Sequence, residues 1–296
     1  MPKPPPAAET RISTDLVQAL VNEFAPHLSN EPIEFLAAGW DNEIHRVGDD
    51  HVLRLPRRQM SADLVVNEQT WLPELAPTLP LTVPVPEYVG KPSLGYPYAW
   101  SLLRWIPGVP LAHSPALAQD RLVQDLSGFI NALNVPAPED APENPYRGVP
   151  LSERDEKLRE SALECGDLID HDTVIELWDE LVATPAWGGE PVWLHGDLHP
   201  LNLLVRGGRL TAVIDWGDIT AGDPAVNLSV AWMLFDDEGR SELRKEVRIN
   251  DHAVDIHTWN RARGWALSLA LTFLAHSEGA PTMRRMGHAT LAQVLR

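Results

Sequence analysis

A chain of 296 residues has room for one large or two medium domains, and its 44% hydrophobic and 22% charged residues suit an ordinary globular protein. The formal net charge of −18 argues against a nucleic-acid partner, because phosphate backbones attract basic surfaces, and an acidic surface steers a cationic small molecule inward. A single cysteine, Cys165, excludes an internal disulfide and a Cys-based zinc cluster and suits a reducing cytoplasm. The opening Met-Pro-Lys-Pro-Pro-Pro-Ala-Ala-Glu-Thr has no apolar core, so it is expected to be a disordered tip rather than a signal peptide. The longest strongly apolar run, Trp265 to Ala275, is too short to span a bilayer, and a cytoplasmic protein without a membrane partner is expected.

In chain order, residues 13–25 begin on a capping serine and place Leu16, Val17, Leu20, Val21 and Phe24 on one face of a helix. Residues 33–55 read as three strands with turns at Gly39-Trp-Asp-Asn and Gly48-Asp-Asp. The third strand carries Arg54. Asp63 to Leu75 predicts a helix containing Glu68, and the proline-rich stretch 73–97 holds extended pieces around Val83-Pro-Val and Tyr88-Val. An apolar strand over 98–106 leaves through Pro107-Gly108, after which the pattern turns helical. Helices are predicted at 115–134, 152–162, 172–183, 254–275 and 283–295, and residues 135–150 read as a proline-rich loop. Asp223 is placed to cap a helix beginning at Pro224 and running to Phe235, apolar nearly all round and hence buried. Asp236-Asp237-Glu238 then ends that helix with three acids set against its dipole, which marks them as candidates for a cationic substrate. Trp259 and Trp265 are expected in the core.

The stretch Val192 to Trp216 carries the chemistry. Asp197 and Asn202 have four residues between them, the spacing of the phosphotransfer loop H-x-D-x-x-x-x-N. An apolar run, a Gly207-Gly208 turn and a second run make a hairpin that delivers Asp215. Moving a phosphoryl group needs a base for the attacking hydroxyl and oxygen ligands for magnesium. Asp197 fills the first role; Asn202 and Asp215 fill the second. A rival reading, a metal hydrolase using His195, Asp197, His199 and Asp215, is opposed by Gly196 and Pro200, which do not suit a ligand-bearing helix.

These residues, with Gly222-Asp223-Pro224 downstream, resemble the aminoglycoside phosphotransferase family, small-molecule kinases related in fold to protein kinases. The resemblance runs from about Ala37 to the C-terminus. It implies an α+β, two-lobed protein-kinase-like fold, with a small antiparallel β-sheet lobe over 1–106 and a larger, mainly helical lobe over 107–296. It implies that Arg54 stands where a lysine usually grips the nucleotide phosphates, pinned by Glu68, and that backbone near Arg104 and Ile106 meets the purine. It also implies Mg2+ and ATP or GTP as phosphoryl donor. The acceptor would be a small hydroxylated molecule, an aminoglycoside first and a macrolide next. Ordinary metabolites are the alternative, and a pseudokinase that binds nucleotide without transfer is the non-enzymatic one. A monomer or weak dimer is expected. The family usually has a carboxylate at Asn227, where it braces the catalytic loop.

Overall fold

The structure, a computed structural model, describes residues 7–296. The expected disordered tip lies in part outside these residues, but its end is ordered. Glu9 and Thr10 donate backbone N–H groups to the Arg57 carbonyl at 2.9 and 3.3 Å, and Glu9 Oε2 accepts from the Gln59 backbone at 2.8 Å. The chain divides into two compact units. One takes the described chain up to Pro107 together with Ala212–Gly217, and the other takes Gly108–Thr211 and Asp218–Arg296.

The first unit is α+β. Helix α1 (Thr14–Phe24) is capped by Ser13, whose hydroxyl accepts from the Leu16 N–H at 3.2 Å, and it buries Val17, Leu20 and Val21. Strands β1 (Ile33–Ala38), β2 (Asn42–Val47) and β3 (His51–Pro56) follow, then α2 (Gln59–Leu75), β4 (Pro86–Gly90) and β5 (Trp100–Arg104). The five strands form one antiparallel sheet in the order β1-β2-β3-β5-β4. Every residue of β3 is buried, which is why its pattern reads apolar even around Arg54. Leu53, Leu55, Trp100 and Leu102 from the sheet close over the apolar face of α1. Helix α2 begins four residues before the expected Asp63, because Asp41 reaches its first turn from the β1–β2 loop. Asp41 Oδ1 accepts from the Ser61 hydroxyl at 2.6 Å and pairs with Arg58 at 2.8 Å. The Ala212–Gly217 segment joins this unit through a parallel bridge between Ala212 and Thr82.

The second unit is mainly helical. It contains β6 (Val109–Pro110), α3 (Gln119–Leu133), α4 (Asp155–Cys165), α5 (His171–Val182), β7 (Val192–Leu194), β8 (Leu203–Arg206) and β9 (Arg209–Val213), whose last residues pass into the first unit. It continues with β10 (Thr220–Gly222), α6 (Ala225–Leu228), α7 (Ala231–Leu234), α8 (Asp237–Glu246), β11 (Arg248–Ile249), β12 (His252–Ala253), α9 (Ile256–Ala275) and α10 (Pro281–Val294). Helix α9 is its centre: Trp259 and Trp265 are buried as expected, and α4, α5, α6 and α10 pack around it. Cys165 is buried too, and burial pushes its thiol up to about 11. No helix among the described residues is long and apolar enough to cross a membrane.

Two expectations in this unit are corrected. The single helix from Pro224 to Phe235 is two one-turn helices, because the Ser229 hydroxyl donates to the Val226 carbonyl at 2.7 Å. The backbone bonds of Trp232 and Met233 then tighten to i→i−3 spacing. Asp236, Asp237 and Glu238 do not end that helix; they begin α8. Asp236 is its N-cap, accepting from the Gly239 N–H at 3.0 Å, so the acids sit at the favourable end of the dipole.

Asp223 caps the first of these turns, accepting from the Ala225 N–H at 3.0 Å, and pairs in the interior with Arg261 of α9 at 2.6 and 3.2 Å. Arg261 also donates to the Pro185 carbonyl and the Thr258 hydroxyl, so the pair is satisfied on both sides. Removing one partner of such a pair strands the other charge. Asp223→Ala is therefore expected to destabilise the protein by about 3–5 kcal/mol, read from denaturant unfolding, whereas a loss under about 1 kcal/mol would refute this role.

Candidate active site

In the first unit, a buried strand, a helix and the segment after the hairpin bring three of the expected residues together. Arg54 on β3 is 5% exposed and donates through Nη1 to Glu68 Oε2 on α2 and through Nη2 to Asp215 Oδ1 at 2.5 Å. With the Asn42 amide oriented so that its oxygen faces inward, it accepts from Arg54 Nη2 at 2.9 Å and Nε at 3.0 Å. Burial opposes the charge on Arg54, but Glu68 and Asp215 outweigh it and hold the guanidinium above its usual range. Glu68 is fully buried, and burial pushes its carboxyl up while Arg54 pulls it down. Asp215 has a positive φ of 64°, a left-handed conformation that Asp tolerates better than most residues, and its side chain is 54% exposed. One oxygen of this carboxylate serves Arg54, and the group faces solvent.

In the second unit, the candidate catalytic loop is built between β7 and β8. Gly196 has φ +83°, and a Cβ there would lie 2.2 Å from the Asp218 carbonyl oxygen, so only glycine lets the loop run this close to residue 218. The Asp197 N–H donates to His195 Nδ1 at 3.2 Å. His199 Nδ1 accepts from the Leu201 N–H at 3.2 Å, and its Nε2 lies 3.2 Å from Asp197 Oδ2 and 3.3 Å from Asn202 Nδ2. Burial raises the Asp197 carboxyl, but His199, Arg147 and His195 together hold it well below the usual carboxylate range. Asp197 is thus a fixed carboxylate with a quarter of its side chain open to solvent. Asn202 donates through Nδ2 to the Asp197 carbonyl at 3.0 Å, which orients its amide oxygen as the remaining ligating atom.

Below the loop, Asn227 is fully buried. Its Oδ1 accepts from the His195 N–H at 3.2 Å, and its Nδ2 donates to the Trp193 carbonyl at 2.9 Å and to Asn134 Oδ1 at 3.4 Å. An amide performs both acts here, whereas a carboxylate performs only the first.

The remaining expected residues are placed separately. The Arg104 side chain is exposed and donates through Nε to Glu87 at 2.5 Å, while its backbone lies in β5 opposite His51. Ile106 follows β5 just before the end of the first unit. Asp237 pairs with Arg240, and Asp236 is occupied as a cap. Sequence reasoning passed over Arg147 and Asp218. Arg147 Nη2 lies 3.4 Å from both Asp197 Oδ1 and Asp218 Oδ2, and Asn144 donates to Asp218 Oδ1 at 2.8 Å. The Asp-x-x-Asp spacing of 215 and 218 was the one visible signal for the latter; nothing local marks Arg147 within a proline-rich loop.

Divalent metals of the magnesium type take oxygen donors, and the Asp215 carboxylate and Asn202 amide oxygen have that chemistry. Among the described residues no group of three His, Cys, Asp or Glu side chains is arranged to hold a metal. An ion held by either group would need other oxygens, of the kind phosphates supply in phosphoryl-transfer sites.

A family model described as the phosphotransferase enzyme family matches residues 32–265. Among curated proteins, the uncharacterized protein YcbJ of Bacillus subtilis (strain 168) is 25% identical over 270 residues, covering 83% of each chain. Among solved structures, the GDP complex of wild-type aminoglycoside 2'-phosphotransferase-IIIa superimposes with a TM-score of 0.68 at 21% identity, covering 96% of this chain and 99% of that one. The apoenzyme of macrolide 2'-phosphotransferase MphH from Brachybacterium faecium gives 0.61 at 20% identity, covering 94% and 97%. At these identities the likeness to solved structures is one of fold, and the α+β architecture with its antiparallel sheet is theirs.

Asn227→Asp removes the donors to Trp193 and Asn134 and sets a charge in a buried site. A loss of about 2–4 kcal/mol of stability is expected, read from thermal or denaturant unfolding at neutral pH. Unchanged stability would mean that the amide's donor half does nothing.

Proposed function

The chain belongs to the phosphotransferase enzyme family and is a small-molecule kinase; from that premise we propose that it moves the γ-phosphoryl group of ATP or GTP to a hydroxyl of a small molecule, with Asp197 as its base. The observation that carries the reading is the meeting of Arg54, Glu68 and Asp215, in which a residue 161 positions downstream of Arg54 closes on the same guanidinium. This buried cation holds one oxygen of Asp215 and leaves the carboxylate facing solvent, where it would meet a metal carrying the nucleotide phosphates.

In the proposed reaction the acceptor hydroxyl oxygen forms a bond to the γ-phosphorus, the bridging oxygen leaves with the nucleoside diphosphate, and the hydroxyl proton passes to Asp197. Asp197 sits well below the ordinary carboxylate range, so it orients the hydroxyl and takes the proton late rather than stripping it early. That suits a loose transition state, in which positioning and charge neutralisation supply most of the acceleration. His199 and Arg147 hold the carboxylate in place, and Asn202 and Asp215 are the proposed magnesium ligands. Magnesium would neutralise charge on the transferring phosphates. We further propose that the first unit binds nucleotide, with the backbone near Arg104 and Ile106 at the purine, and that the second carries the acceptor. The single buried Cys165 suits a reducing cytoplasm, where nucleotide triphosphates are abundant.

Structural relatives solved with kanamycin, gentamicin or streptomycin make an aminoglycoside the first acceptor class to test, with a macrolide second and hydroxylated metabolites beside them. The test is a transfer screen with labelled ATP and GTP across those classes. In the responding pair, Asp197→Ala is expected to lower kcat by about 10²–10⁴-fold with nucleotide still bound, and near-normal turnover would remove Asp197 from its role. Asp215→Ala should abolish the magnesium dependence of nucleotide affinity in a titration; an unchanged dependence counts against the metal assignment.

A further inference from the structure

Two of the side chains that hold Arg54 are placed by a contact neither of them makes. Glu68 reaches the guanidinium from the middle of α2, and the Asn42 amide reaches it from the first residue of β2. The loop that leads into Asn42 is clasped to the start of α2, and Asp41 is the centre of the clasp. Its Oδ1 accepts from the Ser61 hydroxyl at 2.6 Å and from Arg58 Nη2 at 2.8 Å, and its carbonyl accepts from the Arg57 N–H at 2.8 Å. Arg57 Nη1 donates in turn to the Gly39 carbonyl at 2.6 Å, and Arg58 Nε to the Trp40 carbonyl at 3.3 Å. The Gly39 N–H closes the loop on the Asn42 carbonyl at 2.9 Å.

The clasp answers a defect in α2. Arg58 stands at its N-cap, where arginine has no acceptor to offer, and the first turn contains no acid. Glu9 and Asp41 supply from outside what the helix lacks: Glu9 accepts from the Gln59 N–H at 2.8 Å, and Asp41 holds Ser61. Both charges lie at the end of the dipole that favours them. Asp41 is then tied to Arg54 along two paths. One is the chain itself, because Asn42 is the next residue. The other runs along the helix: Ser61 and Glu68 are both fully buried and lie about two turns apart on one face of α2. Holding Ser61 fixes the rotation that turns Glu68 inward.

We propose that Asp41 is a positioning residue of the nucleotide site: by clasping the β1–β2 loop to the start of α2, it places Asn42 and Glu68 and, through them, the Arg54 fork that holds Asp215. Its importance for nucleotide rests on the reading of Asp215 as a magnesium ligand; its control of Arg54 does not. A merely structural Asp41 would act through stability alone. Its side chain is 38% exposed, where an ion pair such as that with Arg58 is screened by water and contributes little to the folding equilibrium. Loss of Asp41 is thus expected to loosen Arg54 without unfolding the chain.

The experiment compares the full chain with Asp41→Ala. Exchange of the Arg54 Nε–H with solvent is followed by NMR, and magnesium-dependent binding of ATP and GTP by calorimetry. The expected result is Nε–H exchange about tenfold faster and nucleotide affinity about tenfold weaker than in wild type, at an unchanged melting temperature. If Asp41→Ala does not fold, Ser61→Ala supplies the deciding variant, since it removes the other half of the same hydrogen bond and leaves every charge in place. Exchange at the wild-type rate in the folded variant overturns the proposal, and so does faster exchange with nucleotide affinity unchanged. A wild-type chain that binds neither nucleotide would sink the kinase reading, while faster exchange in the variant would still establish that Asp41 controls Arg54.

Discussion

The guanidinium of Arg54 is the point on which the first unit turns. A charge buried in β3 has to be answered by opposite charge, because desolvation of an unpaired ion exceeds anything local packing returns. Glu68 answers it from α2 and Asp215 from the segment that follows the hairpin, while Asn42 completes the fork from β2. Four stretches of chain are thereby fixed to one planar group with directional donors. Lysine in the same place would have offered a point charge, free to swing between partners. Arginine's rigid fork instead sets the spacing between Glu68 and Asp215, and with it the direction in which Asp215 faces solvent.

The loop that carries Asp197 is governed by a different constraint, the shortage of space behind it. Gly196 and Gly148 both run where a side chain would strike backbone carbonyls. Asn227 sits in that crowded layer, its amide oxygen accepting from the His195 N–H and its amide nitrogen donating to Trp193 and Asn134. Close packing leaves Asp197 few positions to occupy, and His199 and Arg147 settle which one it takes. Glycines and an amide thus hold the Asp197 loop in place, and phosphoryl transfer is a reaction that needs such preorganisation.

Local signals made part of this legible in the sequence. The five-residue step from Asp197 to Asn202, the paired glycines of the hairpin turn and the period of α1 are all set by neighbours within one element. Gly207 and Gly208 indeed take φ of 61° and 75°, the turn that such a pair favours. Other features depend on partners far away. The early start of α2 needs Asp41, and the apparent misplacement of Asp236 to Glu238 arose because one helix stopped sooner than its apolar pattern implied. Arg147 carries no periodic signal at all. Its meaning lies in what surrounds it after folding, the carboxylates of Asp197 and Asp218.

Net charge and site charge act over different distances here, and the difference decides how composition should be read. A formal charge of −18 spread over the surface acts on a ligand during approach, and salt screens it beyond roughly 8 Å at physiological ionic strength. Within the site the separations around Asp197 are 3–4 Å, so a unit charge there outweighs many distant ones. The acidic surface favours a cation on its way in. Encounter and selection need not agree in sign, because the first sets an on-rate and the second sets which acceptor stays long enough to react. The contact term therefore carries the specificity, and the acidic composition is left with the task any globular protein assigns it, keeping copies of the chain apart.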